Sequence, residues 1–205
     1  MDIREKILDG AGSLFIKEGI RLVTMDSIAQ SLGISKRTIY ENFKDKEDLI
    51  HNFLTRDVNT HKNDLIKIGQ SSTNVIESLF EFGKYDSDAF AKINPIFFDD
   101  LKKYYSEMFE SIKKREKIGN GEISYLILKR GVNEGTFVKT IDIDIVNTFI
   151  HTTMSHFFKR DEQDSIPHSK VWSSVFLPYI RGICTEKGIE YLNSFLAKNK
   201  NSNNE

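Results

Sequence analysis

Between Thr24 and Lys46 the chain reads TMDSIAQSLGISKRTIYENFKDK. Lys36, Arg37, Thr38 and Asn42 stand there within seven residues, and their donors suit phosphate oxygens and the edges of base pairs. Over Ser35–Lys46 four bases (Lys36, Arg37, Lys44, Lys46) outnumber two acids (Glu41, Asp45). Side chains of this kind do chemistry only when a scaffold aims them. Ile28, Ala29, Leu32, Ile34 and Ile39 are apolar or small at the spacing that lets two short helices cross closely. Gly33 supplies the turn between them, where a backbone angle outside the common range is needed. Thr24 and Ser35 are candidate N-caps for the two helices. The pattern is a helix-turn-helix whose second helix, Ser35–Phe43, enters a major groove.

The flanking chain is helical by period. Ile7, Leu8, Ala11, Leu14 and Phe15 share one face of a first helix that Gly19 stops. Asp45 opens a long fourth helix, with Glu47 and Asp48 in the first turn where negative charge suits the dipole. Ile50, Leu54, Val58, His61 and Leu65 mark its face, and Gly69–Thr73 is a polar break. Further helices are expected over Asn74–Lys92, Pro95–Ile118, Glu122–Glu134, Ile143–Lys159, Lys170–Glu186 and Lys187–Lys198. Pro178 is expected to kink or split the fifth of these. Gly119-Asn120-Gly121 and Asn133-Glu134-Gly135 read as punctuation. No sustained alternation of period two occurs. The expected class is all-α: an amino-terminal three-helix domain (1–46), a connecting helix (45–68), a larger helical domain (47–198) and a flexible polar tail (199–205).

Composition bounds the function. The 205 residues carry 29 Lys+Arg against 30 Asp+Glu, a net charge of −1. Residues 1–50 alone hold eight bases and nine acids. Binding to DNA must therefore be local rather than a blanket basic coat. The single cysteine, Cys184, reads as buried and inert, and with no apolar leader over Met1–Ile20 it points to the cytoplasm. No apolar run reaches a membrane span, which takes roughly 18 residues, so no membrane partner is expected. Phosphate-cradling glycine loops, a nucleophile elbow and paired carboxylates on strands are all missing, so no enzyme and no cofactor are expected. His151 and His156 are five apart and lack a zinc pattern; no metal is expected. His51 and His61 have no evident partner in the sequence.

The same stretch resembles the TetR family of bacterial transcriptional regulators. The family pattern T-x-x-x-I-A-x-x-x-G-V-S-K-x-T-x-Y-x-x-F-x-x-K-x-x-L is met by Thr24, Ile28, Ala29, Gly33, Ser35, Lys36, Thr38, Tyr40, Phe43, Lys46 and Leu49, with Ile34 for Val. Asn94-Pro95, Asp100–Tyr105, Gly131–Phe137 and Arg181-Gly182-Ile183 are looser likenesses, and Ser106 stands where proline is common. The resemblance implies that Thr24, Lys36, Arg37, Thr38, Tyr40, Asn42 and Lys46 meet DNA. Thr24, Tyr40 and Lys46 would take phosphates, while Lys36, Arg37 and Thr38 would read bases. It further implies a homodimer on a palindromic double-stranded operator, acting as a repressor released by a small-molecule effector. Phe149, Thr153, Phe157, Val175, Phe176, Tyr179 and Ile183 would form the dimer interface. Phe80, Phe97, Phe98, Tyr105, Phe109, Tyr125 and Phe149 are the candidate ligand pocket, although aromatic stripes at helical spacing ordinarily serve as core. Two alternatives stay open at this level: a helix-turn-helix regulator governed by a protein partner, and a helical interaction module that does not meet DNA.

Overall fold

The structure, a computed structural model, describes residues 2–157 and 168–201. The described residues are helical, with no strand beyond one isolated bridge between Phe137 and Cys184. The helices are α1 (Ile3–Glu18), α2 (Met25–Leu32), α3 (Lys36–Asn42), α4 (Lys46–Ser71), α5 (Val75–Ala91), α6 (Pro95–Tyr104), α7 (Ser106–Asn133), α8 (Ile143–Phe157), α9 (His168–Val171), α10 (Leu177–Ile183) and α11 (Glu186–Asn201). A π-helical turn, Trp172–Phe176, separates α9 from α10. None of the described helices is long and apolar enough to cross a membrane.

By packing, the chain forms two compact units. The first joins Met1–Asp64 to Gly83–Ile118, and the second joins Leu65–Phe82 to Gly119–Glu205. The first unit closes on Ile7, Leu8, Ala11, Phe15, Ile28, Ile39, Phe43, Leu49, Ile50 and Phe53, with Phe97, Leu101 and Ile112 added from later in the chain. Phe53 meets Phe15 and Phe97 edge-on, with centroids 6.1 and 6.4 Å away. Gly12 makes room for the Phe53 ring, because a Cβ there would lie 2.2 Å from Cε2. Between α4 and α5, His61 Nε2 lies 3.3 Å from Asp86 Oδ1, and the Tyr85 hydroxyl donates to Asp64 Oδ2 at 3.0 Å. Burial pushes the His61 imidazole below its usual range, against the pull of Asp57 and Asp64.

In the second unit, Arg130 of α7 ties off the end of α4. Its guanidinium donates to the carbonyls of Gly69 (2.6 Å) and Ser72 (3.1 Å) and pairs with Glu134. Phe80 stacks on Phe195 at 4.5 Å and meets Trp172 edge-on at 5.5 Å.

Several sequence expectations need correction. The segment Pro95–Ile118 is not one helix: it breaks at Tyr105, whose φ and ψ are −136° and 43°. Gly119-Asn120-Gly121 is not a break, since α7 runs straight through it. Mid-helix glycines cost about 1 kcal/mol each against alanine, and a tie from α8 offsets this. Asn147 Nδ2 donates to Gly121 O at 3.0 Å, while Ser124 contacts both Asn147 and, at 2.6 Å, His151. Pro178 does interrupt the regular ladder, through a wider turn upstream of it. The Leu177 N–H skips one residue to bond Trp172 O, which is how a helix absorbs a residue that lacks its own donor. α4 extends to Ser71 and α11 to Asn201, three residues into the expected tail. Residues 158–159 and 202–205 lie outside the described residues.

Candidate nucleic-acid interface

Every turn of the Thr24–Lys46 segment is held by a local bond. Thr24 caps α2 reciprocally: the Ser27 N–H donates to Thr24 Oγ1 (3.0 Å), and the Thr24 N–H donates to Ser27 Oγ (2.8 Å). Gly33 ends α2 in the left-handed region at φ 64°, ψ 35°. There the Gly33 N–H donates to Gln30 O and the Ile34 N–H to Ala29 O. Ser35 then caps α3, accepting from the Thr38 N–H at 3.0 Å. A cap of this kind is worth about 1 kcal/mol. Ile39 is fully buried beneath α3, so the opposite side of that short helix must face solvent.

Lys36, Arg37 and Tyr40 are exposed on that outer side, with Thr38 half-buried beside them. The Lys36 ammonium pairs with Asp26 of α2 at 2.7 Å, and this hydrogen bond raises its pKa. The Arg37 side chain is 88% exposed, and its Nε contacts Glu41 at 2.9 Å, an interaction that yields easily to a ligand. The Thr38 hydroxyl lies 2.9 Å from Ser35 Oγ. Asn42 turns back on its own helix, donating to Thr38 O at 2.8 Å. Thr24 is exposed at the start of α2.

Lys46 points elsewhere. Its ammonium donates to Ile20 O at 2.6 Å and Arg21 O at 3.5 Å, and burial lowers its pKa. The same loop is gripped from the other side by α6, whose buried Asp100 accepts the Arg21 N–H at 2.7 Å. Asn94 fixes α6 in place: its N–H donates to Ile16 O and its amide to Lys17 O, both at 2.9 Å. Gly19, at φ 84°, lets α6 approach, since a Cβ there would lie 2.5 Å from Ile96 Cγ2. The sequence carries no local signal for Asp26, Arg21 or Asp100, because each acts on a partner in another element.

The expected pocket residues divide between the units. Phe97 is buried in the first unit's core, and Phe98, Tyr105 and Phe109 pack against it. Phe80, Tyr125 and Phe149 belong to the second unit. A cleft of about 550 Å³ opens between α1 and α4, lined by Gly12, Ser13, Ile16, Phe53 and Arg56 among others, and by none of the seven. Of the expected dimer residues, Phe176 and Ile183 are buried within the chain itself, whereas Phe149 is 43% exposed with Tyr179 at 4.7 Å. Val175 and Thr153 are half-buried. The side chain of Phe157 lies outside the described residues, as do those of 154–156. No metal-binding group occurs among the described residues.

Residues 7–52, which contain the whole capped segment, match the family described as bacterial regulatory proteins, tetR family. The likeness to this family covers the helix-turn-helix segment of the chain. A TetR-type relative, the HTH-type transcriptional repressor KstR2 of Mycolicibacterium smegmatis, is 25% identical over 154 residues, 73% of this chain and 75% of that protein. The HTH-type transcriptional regulator SAB2452 of Staphylococcus aureus is 44% identical over 57 residues, 28% of this chain and 31% of its own. A TetR-family transcriptional regulator from Cytophaga hutchinsonii has the same fold, with a TM-score of 0.68 and 16% identity over 90% of this chain and 96% of that one. The relatives that the chain matches are transcriptional regulators rather than enzymes, which supports a DNA-binding regulator.

Proposed function

We propose that the protein is a homodimeric repressor that binds a palindromic operator through α3 and leaves it when a small molecule binds the helical domain. The observation that carries this reading is the outer side of α3, where Lys36, Arg37, Thr38 and Tyr40 stand above a buried Ile39. In this reading Arg37 takes the edge of a guanine, Lys36 and Thr38 read beside it, and Thr24 and Tyr40 take phosphates. Asn42 and Lys46 act mainly by fixing backbone, and Lys46 reaches phosphate only by releasing the loop at Ile20.

Dimerisation is supported by apolar side chains left outside on α8: Ile145 is 68% and Phe149 43% exposed, one turn apart. The effector seat falls to the second unit, with Phe80, Tyr125 and Phe149 as its aromatic candidates. Ligand binding releases DNA only if the ligand prefers the DNA-free arrangement.

Selection of genomic fragments followed by footprinting tests the reading. The expected result is a two-fold symmetric footprint with half-sites roughly 34–36 Å apart or somewhat more, bound by a species of twice the chain mass. No preference for any fragment over random duplex, or binding by a monomer, overturns it. A thermal-shift screen of diverse small molecules tests the effector: a hit that also weakens operator binding is expected.

A further inference from the structure

We propose that Arg21 and Lys103 form a second phosphate-binding point on this protein, outside the helix-turn-helix and built partly from α6. The inference rests on the DNA-binding reading and deepens it. Arg21 precedes Thr24 by three residues in the loop that leads into α2. Its guanidinium donates to the Tyr104 hydroxyl at 3.0 Å and lies over the Tyr104 ring, 5.3 Å from the centroid. Lys103 brings its ammonium to within 5.4 Å of the same centroid. Arg21, Lys103 and Tyr104 are all exposed, and Tyr104 keeps 44% of its surface.

Neither cation makes an ion pair among the described residues. Asp100 is only 8% exposed and accepts the Arg21 backbone N–H, and the exposed Asp99, one turn before Lys103 on α6, makes no ion pair with either cation. Two cations beside one ring repel each other, and an anion between them relieves that repulsion. A position in the last turn of α6 suits Lys103 to the helix dipole. It does not account for Arg21, which reaches across from another element to the same ring.

The location selects the anion. A chain extends at most about 3.3–3.6 Å per residue, so Arg21 stays within roughly 11 Å of Thr24, the residue assigned to a phosphate at the start of α2. A neighbouring phosphate of the same strand lies in that range. The point is also rigid, because Lys46 and Asp100 hold the loop by its backbone from both sides. Removing either cationic side chain leaves that grip intact. The pair carries no base-reading geometry, so its contribution is affinity without sequence preference.

The test is a salt titration of binding to a random-sequence duplex of about 30 bp between 50 and 200 mM NaCl, with the full chain and its variants. Arg21→Ala combined with Lys103→Ala is expected to lower the slope of log K against log salt by about 0.9 for each phosphate no longer neutralised, with an unchanged melting temperature. Lys84→Ala, which removes an exposed charge on α5, is expected to leave the slope unchanged. An unaltered slope in the double variant overturns the proposal, as does an equal drop in Lys84→Ala. If the wild-type protein binds no duplex at all, both this proposal and the DNA-binding reading fall. Wild-type binding with an unaltered slope in the double variant removes this proposal alone.

Discussion

Helix α2 ends at Gly33 and helix α7 ends just before Gly135, and both glycines have positive φ, 64° and 71°. The bonding around them is the same. Each glycine N–H donates three residues back, Gly33 to Gln30 and Gly135 to Val132, at 3.2 Å. Each following N–H donates five residues back, Ile34 to Ala29 and Thr136 to Gly131. The two chains diverge after the turn. Beyond Gly33 comes Ser35, which starts a new helix whose polar side faces out. Beyond Gly135 comes Phe137, which is fully buried against Gly131. One turn presents side chains to a partner, and the other plugs a core. A helix stop is therefore a local event with no function of its own, and the residues after it decide whether a surface or a core results.

The largest test of this contrast removes the plug. Phe137→Ala is expected to cost about 3–5 kcal/mol, read from urea unfolding; a loss under ~1 kcal/mol would mean that the ring is not the core element described.

The two glycines come next. Neither would bring a Cβ within 4 Å of another group, so only the backbone angle is at stake. Gly33→Ala and Gly135→Ala are each expected to lose about 1–2 kcal/mol in the same unfolding measurement. Only Gly33→Ala is expected to weaken DNA binding as well. Unequal stability losses would break the comparison.

Arg37→Ala is expected to lower operator affinity about tenfold or more while leaving stability within ~0.5 kcal/mol. Equal weakening on operator and random duplex would reassign Arg37 from base reading to phosphate.

The smallest effect concerns Cys184, which bridges to Phe137. Burial raises its thiol from 9.0 to about 11, with Arg181 pulling the other way. At pH 8 this leaves roughly a hundredfold less thiolate than on an ordinary cysteine. Because the fold favours the neutral thiol, ionisation at high pH opposes folding. Alkylation by iodoacetamide is expected to be slow at pH 8 and to climb through pH 11. A rate matching that of free cysteine would show the site open.

The helix-turn-helix was legible in the sequence because its determinants act within a few residues. Thr24 bonds Ser27, Gly33 relieves the turn, and Ser35 bonds Thr38. The all-helical class came from the same local periodicity. Where the deciding partner is far along the chain, the reading failed. Gly119-Asn120-Gly121 looks like a stop until Asn147 arrives from α8 to bond Gly121. Tyr105 looks like helix until it packs on the first unit's core. The one hint was Ser106, standing where the resembled family often has proline. Aromatic spacing likewise could not tell Phe97, in one unit, from Phe80, in the other.

The bridge between Phe137 and Cys184 has a kinetic consequence. Its flanking bonds, Val138 N–H to Ile183 O and Thr185 N–H to Thr136 O, join segments 47 residues apart in the chain. Helices form from neighbours, but this junction must close a long loop before any of its bonds is made. It therefore belongs to the late part of folding, and a chain paused before that step carries an uncovered Phe137 ring.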